Sequence, residues 1–252
     1  MKTLLSLSLI LAVVVVSAFG QDKNWLQWSK ADAEKILNHS GWSQTQSETD
    51  TSEMVYSPTS RGTSSIGRFE NGRTTGDQQA INNNRADRGA TNQPITVNYH
   101  VRLLSAKPVR QAFMRMVSLN QNTSDPELTA ALKAFVVRDF TDFIVLSVLF
   151  DSTDSRFSGP ALQAFATVRV GTLANNTYLE RKDGKRIFPI NYFPPNGDGL
   201  GAKFVFARLV DERPFVVQDS GTVRFYSEVS PQIKLNVTFK VSELMYEGRL
   251  EY

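Results

Sequence analysis

Between Ser43 and Gln93 only about nine of fifty-one residues are hydrophobic, and that gap divides the chain. Ordering a residue costs roughly 1–2 kcal/mol of backbone entropy. A stretch with so little apolar surface has little to offset that cost and reads as a tether. A core must then form elsewhere, and the 41% of hydrophobic residues in the whole chain is concentrated accordingly. The spacing divides the sequence into an N-terminal leader (1–20), a Trp-rich helical segment (21–42), a disordered linker (43–93) and a folded body (94–252).

The leader has a positive start at Lys2, an apolar run from Leu4 to Val16, and small residues in Ala18-Phe19-Gly20. That is the pattern of a secretory signal peptide, whose apolar core falls short of the roughly 20 residues needed to span a bilayer. An exported protein, periplasmic or secreted from a bacterium, is expected, with no membrane span once the leader is removed. The chain contains no cysteine. Its fold must therefore stand without disulfides, and thiolate zinc sites and cysteine nucleophiles are excluded. A formal charge of +3 is too small for a basic stripe that tracks phosphates, so nucleic acid is not an expected partner.

All three tryptophans, Trp25, Trp28 and Trp42, bracket a short helical pattern beginning after Ser29. Ser29 suits an N-cap, with Asp32 in the first turn. The three rings either dock on the main body or bind a partner. Across Trp28 to Trp42, and again from Tyr246 to Tyr252, the chain resembles uncharacterised secreted proteins of soil bacteria, acidobacterial ones in particular. That resemblance implies an exported location and no particular activity.

The body opens at Pro94 with a strand in which Ile95, Val97, Tyr99, Val101 and Leu103 alternate with polar residues. Two amphipathic helices follow, starting near Pro108 and Pro126. Phe143 to Phe150 reads as a central strand buried on both faces, and Ser158-Gly159-Pro160 as a third helix start. The final eighty residues carry turn signals between alternating runs, including Asp183-Gly184 between two strands of a hairpin. The expected class is α+β, with a mainly antiparallel sheet, two or three early helices and a strand-rich C-terminal half.

Catalytic signatures are sparse. The chain has two histidines, His39 and His100, and no Gly-x-Ser-x-Gly or His-Glu-x-x-His motif. The weak catalytic candidates are Asp151 and Asp154, a carboxylate pair of the kind a glycan hydrolase uses. The weak binding candidates are Trp25, Trp28 and Trp42. A third reading places a small molecule inside the C-terminal sheet, lined by Phe188, Tyr192, Phe204, Phe206, Phe225 and Tyr226. No cofactor or metal is expected. The leading expectation is a non-enzymatic exported protein that binds another protein or an envelope component.

Overall fold

The computed structural model describes residues 24–50, 95–120, 126–153 and 155–252. The leader and residues 51–93 of the expected linker lie outside them. In chain order the elements are α1 (Lys30–Asn38), β1 (Ser43–Asp50), β2 (Ile95–Leu103), α2 (Lys107–Asn120) and α3 (Pro126–Val137). Next come β3 (Phe143–Ser152), α4 (Ser155–Thr167), α5 (Val170–Asn176), β4 (Thr177–Arg181), β5 (Arg186–Ile187) and β6 (Pro189–Phe193). The remainder is β7 (Ala202–Ala207), β8 (Leu209–Val210), β9 (Arg213–Pro214), β10 (Thr222–Ser230), β11 (Ile233–Lys240), β12 (Met245–Tyr246) and β13 (Arg249–Leu250). Every strand pair is antiparallel and the helices fall before the strand-rich half, so the fold is α+β.

Two sheets carry the architecture. The first runs β1-β2-β3-β7-β6, with β3 in its centre, and the second runs β11-β10-β4-β5. Period-two alternation puts Val101, Leu103, Leu146, Val148, Phe204 and Phe206 on one face of the first sheet, and Val223, Phe225, Leu235 and Phe239 on one face of the second. These faces meet. Phe225 lies edge-on to Phe204 at 5.3 Å and to Phe206 at 6.3 Å between ring centroids. Each such side chain, removed from water, contributes about 1.5–3 kcal/mol, and the core holds without a crosslink.

Residues 43–50 correct the expected linker boundary. They form β1, paired along its full length with β2, from Ser43 opposite Arg102 to Asp50 opposite Ile95. The sequence Ser-Gln-Thr-Gln-Ser-Glu-Thr-Asp hides the strand because both of its faces are polar. It lies at the edge of the sheet, where ladder hydrogen bonds rather than apolar burial fix it.

The Trp-rich segment belongs to the same body. Ser29 caps α1 as its type predicts: the Asp32 N–H donates to Ser29 Oγ at 3.1 Å, and the Ser29 N–H donates to Asp32 Oδ2 at 2.9 Å. Ala33, Ile36 and Leu37 are its buried face. The buried guanidinium of Arg102 then ties the helix end to β2, donating to the Leu37 carbonyl at 2.7 Å and to Asn38 Oδ1 at 2.8 Å.

Candidate functional site

On the other face of the first sheet, polar side chains of β1 and β2 converge on Asp151 of β3. His100 Nε2 lies 2.7 Å from Asp151 Oδ2, and Asn98 Nδ2 donates to Asp151 Oδ1 at 3.0 Å. On the neighbouring strand, Thr45 Oγ1 lies 2.9 Å from His100 Nδ1, and Ser47 Oγ donates to Asn98 Oδ1 at 2.7 Å. The network crosses three strands because Thr45 is opposite His100 and Asn98 is opposite Asp151 in the ladders. Partial burial raises the Asp151 carboxyl, but the bonds from Asn98 and His100 and the charge of Arg102 outweigh it and hold it below the usual range. An ionised Asp151 accepts, so His100 Nε2 carries a proton toward it.

Hydroxyl, imidazole and carboxylate in sequence resemble the order of an acyl-transfer triad. The setting does not. Thr45 lies in the middle of a strand, and the Asp151 side chain is 59% exposed on an open sheet surface. Asp154, the expected second carboxylate, lies outside the described residues. Among the described residues no group of three or more metal-ligating side chains is placed to hold an ion.

The tryptophans are placed by burial. Trp28 is 2% exposed and Trp42 5%. Trp42 Nε1 donates to the Glu251 carbonyl at 2.9 Å, and its ring stands edge-on to Tyr246 at 6.1 Å. This corrects the reading of these two residues as an exposed binding element, because large rings contribute most when fully desolvated. Trp25 is half-buried against the same core.

The six C-terminal aromatics separate into two sets. Phe204, Phe206 and Phe225 are completely buried and in ring contact, and the buried Tyr192 donates its hydroxyl to the Phe165 carbonyl at 2.5 Å. The sheet interior at these residues is filled. Phe188 and Tyr226 instead stand on the outer face of the second sheet. There Tyr226 stacks on Tyr178 at 5.2 Å, and Phe188 meets Tyr178 edge-on at 6.5 Å. Arg186 lies 4.3 Å from the Tyr178 ring centroid and Arg224 lies 5.6 Å from it.

Glu180 fixes both cations. Arg186 Nε donates to it at 2.7 Å and Arg224 Nη2 at 2.5 Å. The Arg186 hydrogen bond, opposed by desolvation and reinforced by Arg224, holds the Glu180 carboxyl below its usual range. The result is a pre-ordered aromatic and arginine array on rigid strands, of the composition that dominates protein interfaces. Its signal was present in the sequence: in Arg224-Phe225-Tyr226 the alternation sends one ring inward and its neighbour outward.

No protein-family model and no curated protein matches the sequence. A protein of unknown function from Burkholderia pseudomallei shows structural likeness at 9% identity and a TM-score of 0.36, covering 55% of this chain and 73% of that one. Among the described residues no helix is long and apolar enough to cross a membrane.

Proposed function

We propose that the chain is an exported, non-enzymatic binding protein that presents the outer face of its second sheet to a protein or envelope partner. The observation that carries the reading is the Tyr178, Tyr226 and Phe188 cluster braced by Arg186 and Arg224. Phe188 is 48% exposed although it belongs to this ordered cluster. Phe188 lies at the junction of β5 and β6, and an exposed ring set within an aromatic and arginine cluster supports a partner-binding reading. Export rests on the leader pattern at residues 1–20. The carboxylate-hydrolase alternative draws no support from Asp151, whose side chain is 59% exposed on the sheet surface.

A photoreactive amino acid at position 188, and separately at the exposed Arg213 as a control, tests this in the full chain incubated with a bacterial envelope preparation. One dominant adduct from position 188, absent from 213 and lost when Tyr226→Ser is added, is expected. Equal labelling from both positions, or none from 188, overturns it.

A further inference from the structure

A groove opens between the two sheets, at the end of the first sheet where α4 wedges in beside the turn from β10 to β11. It is an open groove with a volume of about 770 Å³. That is within the range of roughly 300–1,000 Å³ typical of small-molecule sites. Its walls include Val97, Ala161, Ala164 and Ile233, and its polar groups include Tyr99 and Glu48.

Tyr99 is the feature that distinguishes this groove. Among the described residues four tyrosines are buried: Tyr99, Tyr192, Tyr246 and Tyr252. Three have a hydroxyl partner within the protein. Tyr192 donates to the Phe165 carbonyl at 2.5 Å, Tyr246 to Gln111 Oε1 at 2.7 Å and Tyr252 to the Val216 carbonyl at 2.9 Å. The Tyr99 ring is held by Phe150 and Phe165, each at 6.4 Å, but no hydrogen bond is made to its hydroxyl among the described residues. The residue is 3% exposed and lines the groove, and its hydroxyl, which is not among the fully buried polar atoms without a partner, keeps access to solvent there.

Among the described lining residues Glu48 is the one ionisable side chain besides Tyr99, and Gln46 Nε2 steadies it by donating to Oε1 at 3.2 Å. Burial, then the nearby Glu48 carboxylate, push the Tyr99 phenol up to about 12, so it remains a neutral O–H that can donate or accept. Apolar walls, an unpartnered phenol and a single carboxylate together complement a molecule with an apolar body and a cationic head.

We infer that this groove binds a small amphipathic amine, its ammonium between Glu48 and the Tyr99 hydroxyl and its hydrocarbon part against Val97, Ala161, Ala164 and Ile233. The inference is independent of the outer-face reading, because the groove opens between the sheets and shares no residue with the Tyr178 cluster.

The test is titration of the full chain with n-octylamine at neutral pH, with octanoate and octanol as comparators, followed by calorimetry and by amide chemical shifts. Octylamine is expected to bind saturably and about tenfold more tightly than octanoate, with shifts concentrated at residues 48, 97–99, 161–164 and 233. Glu48→Gln is expected to abolish that preference. Tyr99→Phe is expected to weaken both octylamine and octanol about fivefold while leaving the melting temperature unchanged, which separates loss of an anchor from loss of fold. Absence of saturable binding, equal affinity for octanoate, or an unchanged preference in Glu48→Gln overturns the proposal.

Discussion

The carboxamide of Gln46 stands in for a peptide group beside Asn236. Gln46 Oε1 accepts the Asn236 N–H at 2.8 Å while its Nε2 donates to the Lys234 carbonyl at 2.7 Å. One side chain thereby satisfies two backbone groups on the edge of β11 and joins the edges of the two sheets. Exposed strand edges invite pairing with other chains, and this contact covers one of them.

Replacing Gln46 tests the joint directly. Gln46→Ala leaves an N–H and a C=O of β11 without this partner and is expected to cost about 1–2 kcal/mol. Gln46→Glu keeps the acceptor but loses the donor to Lys234, and sets a second carboxylate near Glu48. It is expected to cost at least as much as the alanine variant at neutral pH, and to recover part of the loss in acid. Urea denaturation of both variants at two pH values measures this.

Much of the fold was legible because burial and period coincide. β2 and β11 alternate apolar and polar residues without a break, and α1 carries its cap in Ser29 and Asp32. β1 was not legible, since an edge strand with Gln44, Gln46 and Glu48 facing inward has no apolar phase to read. The run from Arg186 to Tyr192, which reads as one strand after the Asp183-Gly184 turn, conceals a change of sheet: Ile187 pairs with β4, while Pro189 pairs with β7. The site was half legible. Asp151 and His100 stood out as titratable residues, but their pairing depends on strand register across residues far apart in sequence. The three tryptophans drew attention for their size, and size is what placed two of them in the core.

The two buried tryptophans separate packing from hydrogen bonding. Trp42 Nε1 has a partner in the Glu251 carbonyl, whereas Trp28 Nε1 is buried with none. Trp42→Phe loses both ring volume and a bond, and is expected to destabilise by about 1 kcal/mol more than Trp28→Phe, which removes an unsatisfied donor with its ring. Chemical denaturation monitored by far-ultraviolet circular dichroism compares the two without relying on the altered fluorophore. Equal losses would show that the Glu251 contact contributes nothing net.

Asp151 makes stability depend on acid in a defined direction. Its folded pKa lies below the unfolded value of about 3.9. Such a carboxylate stabilises the fold fully above the unfolded value, and the contribution is lost as pH falls through the folded one. The wild type should therefore exceed Asp151→Asn in stability above about pH 5 by no more than about 1 kcal/mol, given the exposure of the pair, and the difference should shrink as pH falls through the folded value. Thermal melts of both proteins across that range check the sign. A difference that grew on acidification would contradict it.

Two glycines with the same backbone sign should respond very differently to alanine. Gly184, at φ +83° in the turn between β4 and β5, has open space where a Cβ would stand. Only the left-handed conformation is penalised there, at roughly 1–2 kcal/mol. Gly201, at φ +76° just before β7, would place a Cβ 2.2 Å from the Val148 carbonyl oxygen and 2.9 Å from the Leu149 Cα. Both obstacles are backbone of the central strand β3, which cannot withdraw without breaking its ladders to β2 and β7. Gly201→Ala is therefore expected to cost several times as much as Gly184→Ala, about 3 kcal/mol or more, as steric strain adds to the conformational penalty. Denaturation midpoints for the two variants, at equal protein concentration, decide it: comparable losses would mean that β7 approaches β3 less closely than this glycine implies.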